Sequence, residues 1–289
     1  METTILMAIR KELSEFSAQQ KLVANFILAD PEESAFMTSS QLADASGTSD
    51  ATVIRFANRL GCKKYADLQA ELRKLVRDRL TQVERLKRSS EPEQQSSLMQ
   101  TAIHSMHTDI KSIEQTLANL DEEELAASVQ AIAEARRVYV AGTHSEYGIA
   151  CYFASTLSWI KEQVYLMDES HTPTFDAMSD VSTEDVMVAL SFPPYPAATV
   201  RFTDAALRRG AKIIAVTDSP LSPLAQRADY CLLVHDVKLF FADNSGPTMS
   251  LLSVILALVS SHDYEKSTAS LKKMSDYWEE MDFYYRDKD

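Results

Sequence analysis

From residue 138 to residue 234 the chain alternates short apolar runs with stretches of helical spacing, and that alternation leaves few folds open. The runs at 138–142, 164–167, 186–190, 212–217 and 230–234 are each apolar almost throughout. A strand with one wet face would alternate polar and apolar residues, so runs like these are buried on both faces. Between and after them, 147–160, 197–209, 247–261 and 267–284 read as helices, and a short turn-helix follows Ser222. Strands and helices in this order build a five-stranded parallel sheet covered on both sides, a three-layer α/β domain. Ligands of such sheets sit in the crevice outside the carboxyl ends of the strands. That rule selects Thr143, His144, Ser145 and Glu146, then Ser191, Phe192 and Tyr195, then Thr217, Asp218 and Ser219.

The first part of the chain has a different period. Ile5, Leu6, Ile9, Leu13 and Phe16 keep helical spacing, Ser17 is placed to cap a second helix over 18–28, and Asp30-Pro31 stops it. The stretch 39–61 then reads as two short helices around a turn. Ser40 is the expected cap of the first, with Leu42 and Ala43 on its buried side. Gly47 makes the turn, because glycine enters a left-handed bend without steric cost. Ser49 is the cap of the second, with Asp50 in its first turn, where a negative charge suits the helix dipole.

In that second helix Val53, Phe56, Ala57 and Leu60 fall on one face. The other face is expected to present Ala51, Thr52, Arg55, Asn58 and Arg59. Arg and Asn make paired hydrogen bonds to guanine and adenine edges, while Ala and Thr let a helix approach the major groove. A helix-turn-helix needs such a reading helix and a first helix that braces it. Ser49 at the helix start, and Lys63, Lys64 and Tyr65 just beyond its end, complete the expected contacts to double-stranded DNA. A long helix over 65–86 follows.

The chain's formal net charge of −13 is unfavourable for a DNA binder until it is divided along the sequence. Residues 51–88 carry eleven Lys and Arg against four Asp and Glu, whereas residues 89–289 carry fifteen against thirty. Positive charge is thus concentrated on and after the expected reading helix, where phosphates would be neutralised. The acidic remainder repels DNA and needs another role. Residues 88–97 contain no large apolar side chain and read as a linker between a helix-turn-helix domain at 1–87 and an α/β domain at 98–289. The second domain is led in by amphipathic helices over 98–120 and 121–135. Cys62, Cys151 and Cys231 are far apart, which excludes a zinc ribbon and suits a reducing cytoplasm. The start has no charged-then-apolar pattern of a signal peptide, and no run approaches a membrane span, so no membrane partner is expected.

The whole arrangement resembles the RpiR family of bacterial transcriptional regulators. The resemblance rests on the 39–61 hairpin followed by Gly61-x-x-x-Tyr65, and on Ile214-Ala-Val-Thr-Asp-Ser-Pro-Leu-Ser-Pro-Leu-Ala225 with Ala228-Asp229 after it. It implies a C-terminal sugar isomerase (SIS) domain that senses a sugar phosphate or related metabolite and changes the affinity for operator DNA. It also implies a homodimer or homotetramer, with no catalytic role and no cofactor.

Two loops depart from the family pattern. Where sugar-phosphate-binding SIS domains have Gly-x-Gly-x-Ser, this chain has Gly142-Thr-His-Ser-Glu146. Where they have Ser-x-Ser-Gly-x-Thr, it has Ser191-Phe-Pro-Pro-Tyr-Pro196. Glu146 would repel a phosphate, and each proline removes a backbone N–H. The expectation is a pocket retuned for a different molecule, one without a phosphate or with a cationic or hydroxyl group facing Glu146. A dead pocket that only dimerises is the competing scaffold reading. An SIS-type isomerase with a helical extension is the enzymatic one, with Glu146 or His144 as its base. His144, Asp168, Glu169 and His171 are metal-ligating types, but a polar loop accounts for them more cheaply and no metal is expected.

Overall fold

The computed structural model describes residues 4–79, 86, 97–169, 176–237 and 244–285. The chain divides into two compact units, Met1–Gln95 and Ser96–Asp289. The expected linker at 88–97 lies, apart from Ser97, outside the described residues, as do residues 80–85 of the long helix.

The first unit is helical: α1 (Thr4–Lys11), α2 (Ala18–Ala29), α3 (Pro31–Phe36), α4 (Ser39–Ser46), α5 (Asp50–Arg59) and α6 (Tyr65–Arg79). Side chains close the starts of its helices. Ser17 and Gln20 form a reciprocal capping box on α2, and Asp30 accepts from the Glu33 amide to start α3. Thr38, with Gln41, forms the box on α4. Ser40 is therefore not that cap: it lies one residue inside the helix, and its hydroxyl donates to Asp50 at 3.4 Å. Gly47 takes φ 67°, and its amide bonds back to the end of α4. Val23, Ile27, Leu42, Val53, Phe56 and Leu68 are fully buried and make this unit's core.

The second unit holds five parallel strands, β1 (Val138–Ala141), β2 (Val164–Met167), β3 (Val186–Leu190), β4 (Lys212–Thr217) and β5 (Tyr230–Leu233), in the order β2-β1-β3-β4-β5. Its helices are α7 (Leu98–Ala118), α8 (Glu122–Glu134), α9 (Tyr147–Leu157), α10 (Ala197–Leu207), α11 (Gly246–His262) and α12 (Tyr264–Glu280). Along β3 the side chains alternate. Val186, Val188 and Leu190 join Ile132 of α8, Phe153 of α9 and Leu252 of α11 on one face. Met187 and Ala189 join Phe202 and Ala206 of α10 on the other. The sheet is buried on both sides, as continuous apolar runs require. No helix among the described residues is long and apolar enough to cross a membrane.

The amino edge of the sheet is tied down by polar side chains. Arg136, ahead of β1, reaches Asp185, ahead of β3, through two bonds of 2.9 and 2.7 Å. Asp185 also accepts from the Ser182 amide at 2.8 Å. Asp229, ahead of β5, accepts from the Ile213 amide at 2.8 Å. The buried Lys161 ammonium donates to the Ala133 and Ala135 carbonyls at the end of α8, at 3.0 and 2.7 Å.

Candidate functional site: a helix-turn-helix face and a strand-end crevice

In α5 the backbone fixes which side chains are offered outward. Ser49 caps the helix by accepting from the Thr52 amide at 3.3 Å, and Val53, Phe56 and Ala57 are buried. Thr52 was expected on the outer face. It is only 5% exposed, because its hydroxyl lies 2.9 Å from that of Ser49 and completes the cap. Arg55 donates to the same Thr52 hydroxyl at 3.3 Å and keeps its guanidinium on the exposed side. Ala51 is exposed beside it, and Ile54, which the sequence reading passed over, is 39% exposed. An isoleucine left out of the core in a helix of this kind suits the thymine methyl group in the major groove.

Three other expected contact residues have internal duties. Arg59 is ion-paired with Glu12 at 3.0 Å and lies over the Phe16 ring at 5.4 Å, tying α5 to the α1–α2 region. With its amide nitrogen turned to the following loop, Asn58 donates to the Cys62 and Lys63 carbonyls at 2.9 and 3.2 Å. The Tyr65 hydroxyl donates to the Met37 carbonyl at 2.8 Å, and burial pushes its pKa up to about 12, so it stays a donor. Lys63 and Lys64 are exposed on the loop that Asn58 braces. Burial likewise pushes the nearby Cys62 thiol up to about 11, which keeps it an inert packing residue.

At the carboxyl edge of the sheet three loops meet. After β1, Gly142 is forced by packing: a Cβ there would stand 2.9 Å from both the Ala150 Cβ and the Glu146 carbonyl oxygen. The chain then turns through His144 at φ 61° into a single 3-10 turn. Ser145 donates to Glu146 at 3.1 Å, and Glu146 is buried at 4% exposure. Thr143 Oγ1 lies 2.8 Å from Thr199 Oγ1 in the first turn of α10, which joins the loop after β1 to the helix after β3.

After β3, strand alternation separates two of the expected ligand residues. Phe192 continues the Val188–Leu190 side and packs into the core, so it does not line the crevice. Ser191 falls on the other side, that of α10. It is fully buried, and its hydroxyl has no hydrogen-bond partner. Thr217 at the end of β4 donates to the Ser191 carbonyl at 2.8 Å. Tyr195, at φ 29°, donates its hydroxyl to Asp218 at 2.9 Å, linking the loops after β3 and β4. Ser219 accepts from the Leu221 amide and shapes its own turn. Two of the non-glycine residues with positive φ, His144 and Tyr195, thus lie on this edge. Backbone in such regions persists where the surrounding structure holds it, commonly at sites.

The helices that begin here differ from those elsewhere in the chain. The N-terminal residues of α9, α10 and α11 make no side-chain cap hydrogen bond. No N-cap side chain occupies their first amides, although the Gly246 amide of α11 donates to the Asn244 side chain at 3.0 Å, and helix starts without a side-chain cap favour anions. Among the described residues no three His, Cys, Asp or Glu side chains are grouped to hold a metal ion. Asp168 instead accepts from the Tyr147 hydroxyl at 3.3 Å, Glu169 pairs with Arg201, and His171 lies outside the described residues.

Comparison with known proteins decides the family. The model described as "Helix-turn-helix domain, rpiR family" matches residues 3–78, and that of the SIS domain matches residues 131–260. The chain belongs to the RpiR family. Among RpiR-family and related proteins, an uncharacterized HTH-type transcriptional regulator of Caldanaerobacter subterraneus subsp. tengcongensis is 24% identical over 279 residues, 95% of this chain and 96% of its own length. The HTH-type regulator YfhH of Escherichia coli is 25% identical, covering 78% of this chain and 80% of its own.

The sugar isomerase domain of an RpiR transcription factor from Sphaerobacter thermophilus shares the fold, with a TM-score of 0.58 at 24% identity over 61% of this chain and 99% of that one. The NanR protein of Vibrio vulnificus, solved in complex with ManNAc-6P, has a TM-score of 0.58 at 20% identity over 96% of this chain and 98% of its own. The RpiR-type helix-turn-helix of this chain accounts for α4 and α5, and its SIS fold accounts for the parallel sheet whose carboxyl edge gathers the three loops.

Proposed function

We propose that this chain is a cytoplasmic transcriptional regulator. Its helix-turn-helix unit reads operator DNA, and its SIS unit senses a small anionic metabolite, a sugar phosphate or a relative. The observation that carries the DNA reading is the outer face of α5. Ala51, Ile54 and Arg55 are presented there by a capped helix, with Lys63 and Lys64 exposed on the next loop. Arg55 and Ile54 then read bases, and the two lysines neutralise phosphates. Asn58, Arg59 and Tyr65 hold that geometry rather than read sequence.

The effector reading is narrower than the loop sequences alone suggest. Replaced hydroxyls and three prolines weaken the family's phosphate cup. Three helix starts without side-chain caps and the buried Ser191 hydroxyl nevertheless converge on one edge. Backbone amides bind anions whatever the side chain, and the relative in complex with ManNAc-6P supports a phosphorylated sugar class. Glu146 is buried at this edge and disfavours negative charge close to it, so the anionic group is expected at the helix starts, away from that carboxylate.

The test uses the full chain. A duplex selected from a random pool should bind with an affinity that falls steeply with salt. Arg55→Ala should cost about 1–3 kcal/mol and relax sequence preference, whereas Lys63→Ala should weaken all duplexes and flatten the salt slope. Unchanged affinity and selectivity in Arg55→Ala would remove α5 as the reading helix. Calorimetric titration with hexose and hexosamine phosphates tests the second half. Heat released by none of them, or turnover of one to an isomer, would displace the sensor reading in favour of a scaffold or an isomerase.

A further inference from the structure

A cavity of about 550 Å³ opens on the α10 side of the sheet. It lies between α10 and the 3-10 turn Ala177–Asp180 ahead of β3, and the loops after β1, β3 and β4 do not line it. Its size falls within the roughly 300–1,000 Å³ of small-molecule sites.

The floor is apolar and already fixed. Met178 and Phe202, 5% and 3% exposed, meet Ala205 there. Both belong to the core that Met187 and Ala189 of β3 build on this side, so sheet packing holds them in place without a ligand.

The rim is charged, and most of its charge is spoken for. Arg201 is paired with Glu169, and Asp204 is paired with Arg227 at 2.6 Å from just outside the cavity. Arg208 and Arg209, at the end of α10, remain. Arg209 donates to the Ala205 carbonyl at 3.4 Å, Arg208 is exposed, and neither is paired with a carboxylate among the described residues. Asp176 is the lining carboxylate left to set against them. Two uncommitted guanidinium groups and one carboxylate leave room for a single negative charge.

That balance selects among anions. The unit around the cavity is strongly acidic, which repels polyanions. A phosphate monoester carries close to two charges at neutral pH and overfills the site. A carboxylate carries one, and its two oxygens match the fork of a guanidinium.

We propose that this cavity is a second small-molecule site, separate from the strand-end crevice, and that it takes an organic monocarboxylate with an aromatic or branched apolar body. The carboxylate sits on Arg208 and Arg209, and the body covers Met178, Phe202 and Ala205. The proposal does not depend on what the crevice binds. The two sites share α10, which offers Thr199 to the crevice in its first turn and Arg208 to the cavity at its end.

Calorimetry and ligand-observed saturation-transfer NMR on the full chain test it, with 3-phenylpropionate as the probe. The acid should bind saturably, one per chain, with a Kd of about 1 mM or tighter. Its neutral amide should bind at least tenfold more weakly, and phenyl phosphate at about pH 8, where it is dianionic, should also bind more weakly than the acid. Arg208→Gln, which keeps the length of an exposed side chain, should weaken the acid at least tenfold with an unchanged melting temperature. Ala205→Leu should abolish binding by filling the floor, and its melting temperature shows whether the fold is kept. No saturable binding of the acid, an amide or a phenyl phosphate that binds as tightly, or full affinity in Arg208→Gln would each overturn the site.

Discussion

The two edges of one sheet are built for opposite purposes. At the amino edge every polar group named above has a partner: Arg136 with Asp185 and the Asp180 carbonyl, Asp185 with Ser182, Asp229 with Ile213, Lys161 with the end of α8. At the carboxyl edge three helices begin without a side-chain cap, Ser191 keeps an unpartnered buried hydroxyl, and two side-chain-bearing residues sit at positive φ. The strands between the edges are the same strands. A unit can hold its fold at one end of a parallel sheet and leave groups uncommitted at the other, because the strand cores transmit rigidity without needing both ends locked. The first unit shows the closed pattern alone, with capped starts to α2, α3, α4 and α5.

The largest test of this contrast is at the locked edge. Asp185→Ala removes the acceptor of four hydrogen bonds and leaves the half-exposed Arg136 without its Asp185 carboxylate. It should cost about 3 kcal/mol, read as a lower melting temperature of the full chain. The same pair sets an acid limit. Burial pushes the Asp185 carboxyl up, but hydrogen bonds from Arg136 and Ser182, with the Arg136 charge, hold it below the usual carboxylate range. A depressed pKa in the folded state contributes stability that is full above the unfolded value of about 4 and is lost as pH falls through the folded value. Melting temperature measured from pH 6 down to pH 2 should fall below about pH 4 in the wild type, and Asp185→Asn should show a shallower fall.

At the open edge, packing also fixes Gly142. Gly142→Ala forces a methyl into 2.9 Å contacts with Ala150 and the Glu146 carbonyl, and should cost about 2 kcal/mol. It should also weaken effector binding, because the turn that carries Thr143 to Glu146 must shift. Stability unchanged within about 0.5 kcal/mol would show that this edge relaxes more freely than its packing implies.

Smaller effects separate a cap from an uncommitted hydroxyl. Ser49→Ala removes the cap of α5 and the contact that buries Thr52, at a cost of about 1 kcal/mol, with DNA binding weakened through the displaced Arg55. Ser191→Ala removes a hydroxyl that has no protein partner, so stability should stay within about 0.5 kcal/mol of wild type or rise slightly. Effector affinity measured by calorimetry should fall. If Ser191→Ala destabilises as much as Ser49→Ala and leaves binding intact, the hydroxyl is part of the fold and the two edges are less different than they look.

Local pattern carried most of the architecture. Apolar runs of strand length, helical spacing in the first 86 residues and the Gly47–Ser49 turn are read within a few residues of their neighbours, and the structure has the corresponding elements. The rule that ligands bind beyond strand ends also singles out the carboxyl edge as the candidate site without any side-chain detail. Even the error at Phe192 was avoidable, since the period of two along β3 already puts Ser191 and Phe192 on opposite faces.

Other points depended on partners distant in sequence. Arg59 looks like a base-reading residue until Glu12 and Phe16, more than forty positions away, are brought against it. Tyr65 looks exposed until Met37, 28 positions earlier, claims its hydroxyl, whereas the burial of Thr52 is a local matter of the Ser49 cap. The seating of α7 is the plainest case: Ser112 and Thr116 are its buried residues, while Met99, Met106 and Leu117 are exposed. Its sequence states that the helix has an apolar stripe and a polar one, which follows from 3.6 residues per turn. Which stripe meets α11 is decided by how the finished domain accepts it, and the domain accepts the small hydroxyl side at Ser112 and Thr116. Periodicity is a property of neighbours along the chain and is fixed by the sequence alone. The choice of partner is a property of neighbours in space, and exists only once the tertiary structure has formed.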